Sequence, residues 1–197
     1  MTKPYSESCD QNKEVILSVL SPILSPCSDV LEIGSGTGQH AVYFAERLPH
    51  LIWRTSDCQP YLDGINTWVS DACLPNLKKP FELDVSKSVW PAMEIDAIFT
   101  ANSIHIMHQN DVENLIRCAA AILNKNGSFI VYGPFNYAGA YTSESNARFD
   151  DWLKDRDQLS GIKHFEDIDQ KAINSGLKLV KDYSMPANNR ILHYIKE

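Results

Sequence analysis

The chain has 197 residues and a formal net charge of −7, and its length suits one fairly large domain with a complete hydrophobic core. We therefore expect a single domain over residues 1–197. No run of Lys and Arg occurs, which argues against nucleic acid or an anionic membrane surface as the main partner. The N-terminus lacks an apolar signal core, and nowhere do about 18 apolar residues run together, so we expect a cytoplasmic protein.

The five cysteines are odd in number and scattered, without a Cys-x-x-Cys pair. This pattern predicts reduced thiols rather than a disulfide framework or a zinc site. His105 and His108 are three residues apart, as helical metal ligands can be, but no acid or cysteine partner is evident. We expect no metal.

The N-terminal segment, residues 1–9, is polar, and we expect it to be loose or to form a flap. Apolar residues then recur at helical spacing, and Asp10 is a plausible N-cap for this first helix. Pro22 and Pro26 are expected to end it.

The glycine-rich stretch at residues 34–38 is the main motif of the chain. A short apolar strand at residues 29–33 precedes it, and apolar residues at three- and four-residue steps follow it. Strand, glycine turn and helix form the first unit of a nucleotide-binding α/β fold, in which glycines leave room for a ligand against the backbone.

The spacing of these glycines separates two kinds of ligand. A dinucleotide fingerprint is G-x-G-x-x-G, whereas here the third glycine comes one residue early and Gln39 stands in its place. Glu32, directly before the loop, suits a cationic ligand better than a pyrophosphate. A dinucleotide site and a purely structural turn remain alternatives.

Two further acids follow predicted strands. The second strand covers residues 51–55, and Asp57 after it could accept both hydroxyls of a ribose or merely cap a turn. The third strand covers residues 80–83, and Asp84 after it could accept an adenine amino group or cap a turn.

The remaining elements predict the architecture. Helices and strands alternate, so we expect a doubly wound, mostly parallel sheet with helices on both faces and ligands at the carboxyl ends of the strands. Asn102 follows the buried fourth strand. The predicted helices cover residues 61–69, 112–123, 146–159 and 165–175, and the other strands residues 95–100, 128–132, 177–183 and 191–195.

Residues 134–163 interrupt this alternation with aromatic and small polar side chains. We expect a lid or a pocket wall there, with simple packing of a helix against the core as the alternative.

The last two predicted strands are joined by only a few residues, MPANN. A parallel connection needs about a dozen, so the seventh strand must run antiparallel. A mostly parallel seven-stranded sheet with an antiparallel last strand is the class I methyltransferase arrangement. Asn188 and Asn189 in this linker could line a substrate pocket or only form a turn.

Several stretches together resemble the methyltransferase-like protein 26 family, from about Tyr5 to the C-terminus: VLEIGSGTGQHAVYFAERLP, WRTSD, YGPF, TSESNARFD and MPANN. The resemblance implies a class I methyltransferase fold and an S-adenosylmethionine site, but no substrate. The chain departs from the family pattern at Asp157-Gln158, at Lys163-His164 in place of Arg-Asp, and at Gly34 in place of Ala.

The expected site follows from the motifs and this resemblance. His105 is the candidate general base, with packing at a helix start as the alternative, and Asn102 could hold the substrate or the cofactor. The expected cofactor-binding residues are Glu32, Gly34, Ser35, Gly36, Gly38, Asp57, Cys58, Asp84, Val85 and Asn102.

The leading hypothesis is an S-adenosylmethionine-dependent methyltransferase that acts on a small molecule or a protein side chain. A non-catalytic S-adenosylmethionine-binding or scaffold protein of the same fold is the alternative. A nicotinamide-dependent reductase is disfavoured by the early third glycine and by the antiparallel last strand.

Overall fold

The structure, a computed structural model, describes residues 3–87 and 90–197. The chain divides into two compact units. The first contains the residues up to Asp84 together with Ile95–Thr100, and the second contains Val85–Glu94 together with Ala101–Glu197.

The first unit alternates helices with parallel strands. Its elements are α1 (Glu7–Leu24), β1 (Asp29–Ile33), α2 (Gln39–Arg47), β2 (Ile52–Asp57), α3 (Leu62–Ala72), β3 (Phe81–Glu82) and β4 (Ile95–Ala101), of which the last residue belongs to the second unit. β1 pairs in parallel with both β2 and β4, and Val30 lies opposite Trp53 on one side and Ala97 on the other.

An aromatic cluster fills the core of this unit. The ring centroid of Phe44, on α2, lies 5.5 Å from that of Trp53 and 5.8 Å from that of Phe99. All three side chains are fully buried. These rings from two strands and one helix bury a large apolar area and fix α2 against the sheet.

The first helix is longer than predicted at both ends. It is capped by Ser6, whose hydroxyl accepts the Cys9 N–H, so the prediction of Asp10 as N-cap was wrong. Pro22 lies inside the helix rather than ending it. Leu20 and Leu24 are fully buried, and their packing outweighs the one backbone hydrogen bond that the proline removes.

Two strand boundaries in this unit also differ from the prediction. β2 covers Ile52–Asp57 rather than residues 51–55, which makes Asp57 the last strand residue. β3 has two residues, Phe81–Glu82, because its pairing with β2 is confined to the last two residues of that strand.

The second unit contains the remaining long elements. They are α4 (Gln109–Ile122), β5 (Leu123–Pro134), α5 (Glu144–Arg156), α6 (Phe165–Asn174), β6 (Leu177–Ser184) and β7 (Asn189–Lys196). α4 begins before the predicted residue 112 and ends one residue before the predicted residue 123. β5 follows it directly, so the strand predicted for residues 128–132 is longer at both ends. The Leu123 carbonyl accepts the Lys196 ammonium of β7, at 2.6 Å, which holds this early part of β5 to its neighbour.

The predicted sheet is confirmed. Seven strands are hydrogen-bonded in the order β3-β2-β1-β4-β5-β7-β6. β7 runs antiparallel to both neighbours, in register Val131↔Leu192 with β5. None of the described helices combines the length and apolarity that a membrane-spanning helix needs.

Candidate functional site

The glycine loop is held against the end of β2 by its backbone. The N–H groups of Gly34 and Ser35 both donate to the carbonyl of Ser56 at 3.0 Å. The Ser56 hydroxyl donates in turn to the carbonyl of Glu32 at 2.8 Å. The loop shape is therefore built by neighbouring strand ends and does not depend on a ligand.

Two glycines of the glycine loop, Gly36 and Gly38, have different roles. Gly38 has φ +90°, and a Cβ there would lie 3.2 Å from the Ile65 Cα and the Trp68 Cβ, so it permits close packing of the loop on α3. Gly36 has φ +59°, and a Cβ there would meet nothing within 4 Å. The open space that a ligand needs therefore lies at Gly36, not at Gly38.

Asp57 closes the loop through its carboxylate. Its Oδ2 accepts the Gly36 N–H at 2.8 Å, and its Oδ1 accepts the Cys58 N–H at 2.7 Å. Burial raises the pKa of Asp57, and these two amide bonds partly oppose that rise. Since each carboxylate oxygen has two acceptor positions, both oxygens can accept a further donor.

Glu32 is buried, with 2 % of its surface exposed. Its Oε2 accepts the Ser35 hydroxyl at 2.9 Å and the Trp53 indole N–H at 3.2 Å. Burial raises the pKa of Glu32 to about 7, although both hydrogen bonds favour the charged form. The group is therefore poised between its charged and neutral forms near neutral pH.

The N-terminal segment is attached to this region rather than loose. Gln39 pairs with the backbone of Ser6, since its Oε1 accepts the Ser6 N–H at 2.5 Å and its Nε2 donates to the Ser6 carbonyl at 3.2 Å. The Trp68 indole donates to the Pro4 carbonyl at 2.6 Å. The expectation of a loose segment was wrong for residues 3–9, and residues 1 and 2 lie outside the described residues.

Asp84, the last of the predicted acids, and its neighbour Val85 follow β3. Asp84 is half-buried at the end of the first unit, where the preceding Leu83 N–H donates to the Asp57 carbonyl at 2.9 Å. Val85 opens the second unit, and its carbonyl accepts the Asn114 side-chain amide of α4 at 2.5 Å. Their roles toward a cofactor stay predictions.

In the second unit, the structure brings Asn102 and His105 together beside Gly133 of β5. A Cβ on Gly133 would lie 3.9 Å from both the Asn102 Oδ1 and the His105 Nδ1. Asn102 has φ +55°, and its N–H donates to the Tyr132 carbonyl at 2.9 Å. A left-handed residue directly after a strand turns the chain sharply at this point.

His105 lies in a short 3-10 turn, Ile104–Ile106, and is 7 % exposed. Its ring meets Phe149 of α5 edge to face, with centroids 5.1 Å apart. Burial, and then the positive charge of Lys163, lower the pKa of His105 to about 4. The imidazole is therefore neutral at pH 7.

The segment at residues 134–163, the predicted lid or wall, is anchored by polar groups. Asp150, 1 % exposed, accepts the Tyr141 hydroxyl at 2.7 Å and the Ile162 N–H at 2.5 Å. The side-chain amide of Asn146 reaches the carbonyl of Asn188 at 3.4 Å. α5 ends at Arg156 instead of residue 159. Its role as a lid or a pocket wall stays a prediction.

Two other features of the second unit, a His108–Asp157 pair and a cavity, involve none of the predicted cofactor-binding or catalytic residues. His108 places its Nε2 2.7 Å from the Asp157 carboxylate, and residues 3–87 and 90–197 contain no group of three His, Cys, Asp or Glu side chains fit for a metal. A cavity of about 650 Å³ is lined by α4, α6 and the end of β7, including Arg117 and Lys171. It holds no predicted site residue.

A family model described as "Protein of unknown function (DUF938)" matches residues 3–196. The chain belongs to the DUF938 family. This match covers almost the whole chain.

Several solved structures that are similar to this DUF938 protein are methyltransferases by name. The S-adenosylmethionine-dependent methyltransferase SibL, in its apo form, has a TM-score of 0.80 at 18% identity, covering 95% of this chain and 55% of that one. Human N-acetylserotonin methyltransferase in complex with S-adenosylmethionine has a TM-score of 0.80 at 15% identity, covering 96% and 53%. An O-methyltransferase family protein from Burkholderia thailandensis has a TM-score of 0.79 at 14% identity, covering 95% and 59%.

These likenesses confirm the class I methyltransferase fold. The DUF938 chain spans about half the length of the proteins it matches, 55% of SibL and 53% of the human enzyme.

Three residues that contribute to these sites, Trp53, Gln39 and Lys163, were not predicted as site residues from the sequence. Trp53 reads as a core strand residue, and nothing in its pattern signals the bond to Glu32. Gln39 was noted only as a non-glycine. Lys163 was noted only as a departure from a family pattern, and nothing in its pattern signals burial.

Proposed function

We propose that this DUF938 protein is an S-adenosylmethionine-dependent methyltransferase acting on a small molecule or a protein side chain. The observation that carries the proposal is the arrangement of Glu32, the open space at Gly36 and the Asp57 carboxylate around one glycine loop. The narrower relationship to methyltransferase-like protein 26 and a cytoplasmic location are part of the same proposal.

The residues of the first unit fit this cofactor chemically. Asp57 keeps acceptor positions for two ribose hydroxyls while its backbone partners hold it in place. Glu32, with a pKa of about 7, becomes fully charged when a cation approaches, so it favours an amino-acid or sulfonium group nearby. Asp84 and Val85 are proposed to contact the adenine. The bound cofactor supplies an electrophilic methyl group.

The residues of the second unit are proposed to handle the acceptor. His105 is buried and neutral, so it can take a proton from a nucleophile, which typically contributes about 10² to 10⁴ in rate. Asn102 lies next to it beside Gly133 and can orient the acceptor through its side-chain amide.

Calorimetric titration with S-adenosylhomocysteine tests the proposal. We expect binding by the wild-type protein and at least tenfold weaker binding by Asp57→Asn, which keeps one acceptor oxygen, with a larger loss for Asp57→Ala. The exposed Asp63→Asn on α3 is the matched control and should bind normally. Absence of both binding heat and a thermal shift in the wild-type protein would exclude the proposal.

One observation favours the second candidate, a non-catalytic binding or scaffold protein. A histidine with a pKa of about 4 is a weak base. This candidate predicts S-adenosylhomocysteine binding without transfer of radiolabelled methyl groups to any acceptor in a broad panel. Transfer that His105→Gln reduces at unchanged cofactor affinity would rule it out.

A further inference from the structure

Three polar side chains in the second unit, those of Lys163, Asn136 and His105, have no hydrogen-bond or ion-pair partner among the described residues. Lys163 is 8 % exposed, and within the described part of the chain its ammonium has no hydrogen bond or salt bridge. Asn136 is 4 % exposed, and its Oδ1 has no partner among the described residues. No described residue bonds to either ring nitrogen of His105.

The backbone places these three residues on adjoining segments. The Asn136 N–H donates to the Lys163 carbonyl at 3.0 Å. Gly161, two residues before Lys163, donates its N–H to the His105 carbonyl at 2.8 Å. The Lys163 charge acts on the His105 ring strongly enough to help lower the histidine pKa. These three residues, Lys163, Asn136 and His105, therefore lie on neighbouring segments, and we call them the His105 cluster.

The two carboxylates whose charges act on Lys163, those of Asp150 and Asp157, already have other partners. Asp150 pairs with the Lys154 ammonium at 2.5 Å and accepts the Tyr141 hydroxyl. Asp157 lies 2.7 Å from His108 and accepts the Leu159 N–H at 3.0 Å. Both raise the pKa of Lys163 only partly, and burial lowers it overall. Charges on largely buried side chains are normally paired, so the Lys163 ammonium is available to bind an anion.

We propose that this cluster binds the methyl acceptor, and that the acceptor is a small hydroxy acid. Its carboxylate pairs with Lys163, and its hydroxyl donates to the unbonded nitrogen of His105 or to Asn136 Oδ1. Two acceptors and one cation without partners match a ligand that carries a hydroxyl and a negative charge. As a statement about the acceptor, this inference rests on the proposed methyltransferase function.

The transfer step balances with the groups named. The hydroxyl oxygen forms a bond to the methyl carbon of S-adenosylmethionine, the carbon–sulfur bond breaks with its electron pair moving to sulfur, and the hydroxyl proton goes to His105. Pairing of the carboxylate with Lys163 also removes the unscreened positive charge that opposes protonation of His105. An anionic acceptor therefore strengthens the base that it requires.

Titration with 2-, 3- and 4-hydroxybenzoate, without cofactor, tests the anion site at pH 7. The three matching hydroxybenzamides have nearly the same shape and no charge. We expect at least one hydroxybenzoate to bind at least tenfold more tightly than its amide. Lys163→Met and Lys163→Gln should abolish this preference, and Lys163→Arg should keep part of it. Lys178→Met, which removes an exposed lysine of β6, should keep it fully.

Three results would overturn the inference: no binding of any hydroxybenzoate, equal affinity for acids and amides, or an unchanged preference in both neutral Lys163 variants of native thermal stability. A parallel titration with S-adenosylhomocysteine separates this inference from the proposed function. Cofactor binding without a Lys163-dependent anion site leaves the function standing, whereas the reverse result leaves only the anion site.

Discussion

The glycine loop of the first unit and the His105 cluster of the second differ in how their polar groups are satisfied. In the loop, Asp57 and Glu32 each accept two hydrogen bonds from neighbouring groups of the protein. In the cluster, the Lys163 ammonium, the His105 ring and the Asn136 Oδ1 make no hydrogen bonds to described residues.

This difference teaches how each region obtains its shape. The loop is held by its own backbone and strand ends, so its conformation is independent of a ligand. In the cluster, the Asn136 Oδ1 is buried without a hydrogen bond, at a cost of about 1–3 kcal/mol. Such a cost is recovered when a ligand binds, which agrees with the anion site proposed above.

The largest expected effect is the loss of stability on substitution of Gly38 in the glycine loop. Gly38→Ala combines left-handed strain of about 1–3 kcal/mol with overpacking against Ile65 and Trp68 of about 1–3 kcal/mol. Urea unfolding should show a loss of about 3–5 kcal/mol. Gly36→Ala is the control, since it adds strain without a clash, and it should lose less stability while weakening S-adenosylhomocysteine binding. Equal destabilisation by both would contradict this division of roles.

The second prediction concerns the buried acid of the loop. The pKa of Glu32 is raised from 4.5 to about 7 in the fold, so the folded state binds this proton more tightly. Its contribution is fully present below pH 4.5 and is lost as the pH rises through 7, by about 3 kcal/mol in total.

Glu32→Gln should remove this part of the pH dependence. The free energies of unfolding of wild type and variant, measured between pH 4 and pH 8, should diverge in favour of the variant as the pH rises. Glu46→Gln changes an exposed glutamate on α2 and should follow the wild type. Parallel wild-type and Glu32→Gln curves would show that folding does not change the pKa of Glu32.

The third prediction tests the support of the cluster. Burial alone would raise the pKa of Asp150, but bonds from Lys154, Tyr141 and the Ile162 N–H bring it below its usual value. Asp150→Asn leaves these donors poorly paired and should cost about 2 kcal/mol. Asp151→Asn, its exposed neighbour, should stay within about 0.5 kcal/mol of the wild type. A loss for Asp150→Asn as small as that expected for Asp151→Asn would mean that the anchor is dispensable.

The smallest expected effect concerns the N-terminal segment. Trp68→Phe removes the hydrogen bond to the Pro4 carbonyl and should cost about 1 kcal/mol. Faster amide hydrogen exchange near residues 5–9 should accompany the loss. The half-exposed Trp152→Phe is the control. Unchanged exchange in Trp68→Phe would show that the other contacts of the segment, such as those of Gln39 and the Lys3–Asp71 ion pair, are sufficient to hold it.

Local patterns were sufficient for the order of helices and strands and for the antiparallel β7, since periodicity and the length of a connection are properties of the chain itself. Boundaries were less predictable where packing decided them. α1 continues through Pro22 because Leu24 is buried, and β3 shrinks to two residues because β2 offers it no more pairing.

The sequence by itself determined the fold class of this DUF938 protein, the glycine loop and the acids beside it, because a strand, a glycine turn and a helix are specified by neighbouring residues. Only the tertiary structure decided that Trp53 and Ser35 hold Glu32, and that Lys163 lies with Asn136 and close enough to act on His105. The physical reason is burial. The state of a charge depends on which groups exclude water from it, and those groups are distant in the chain.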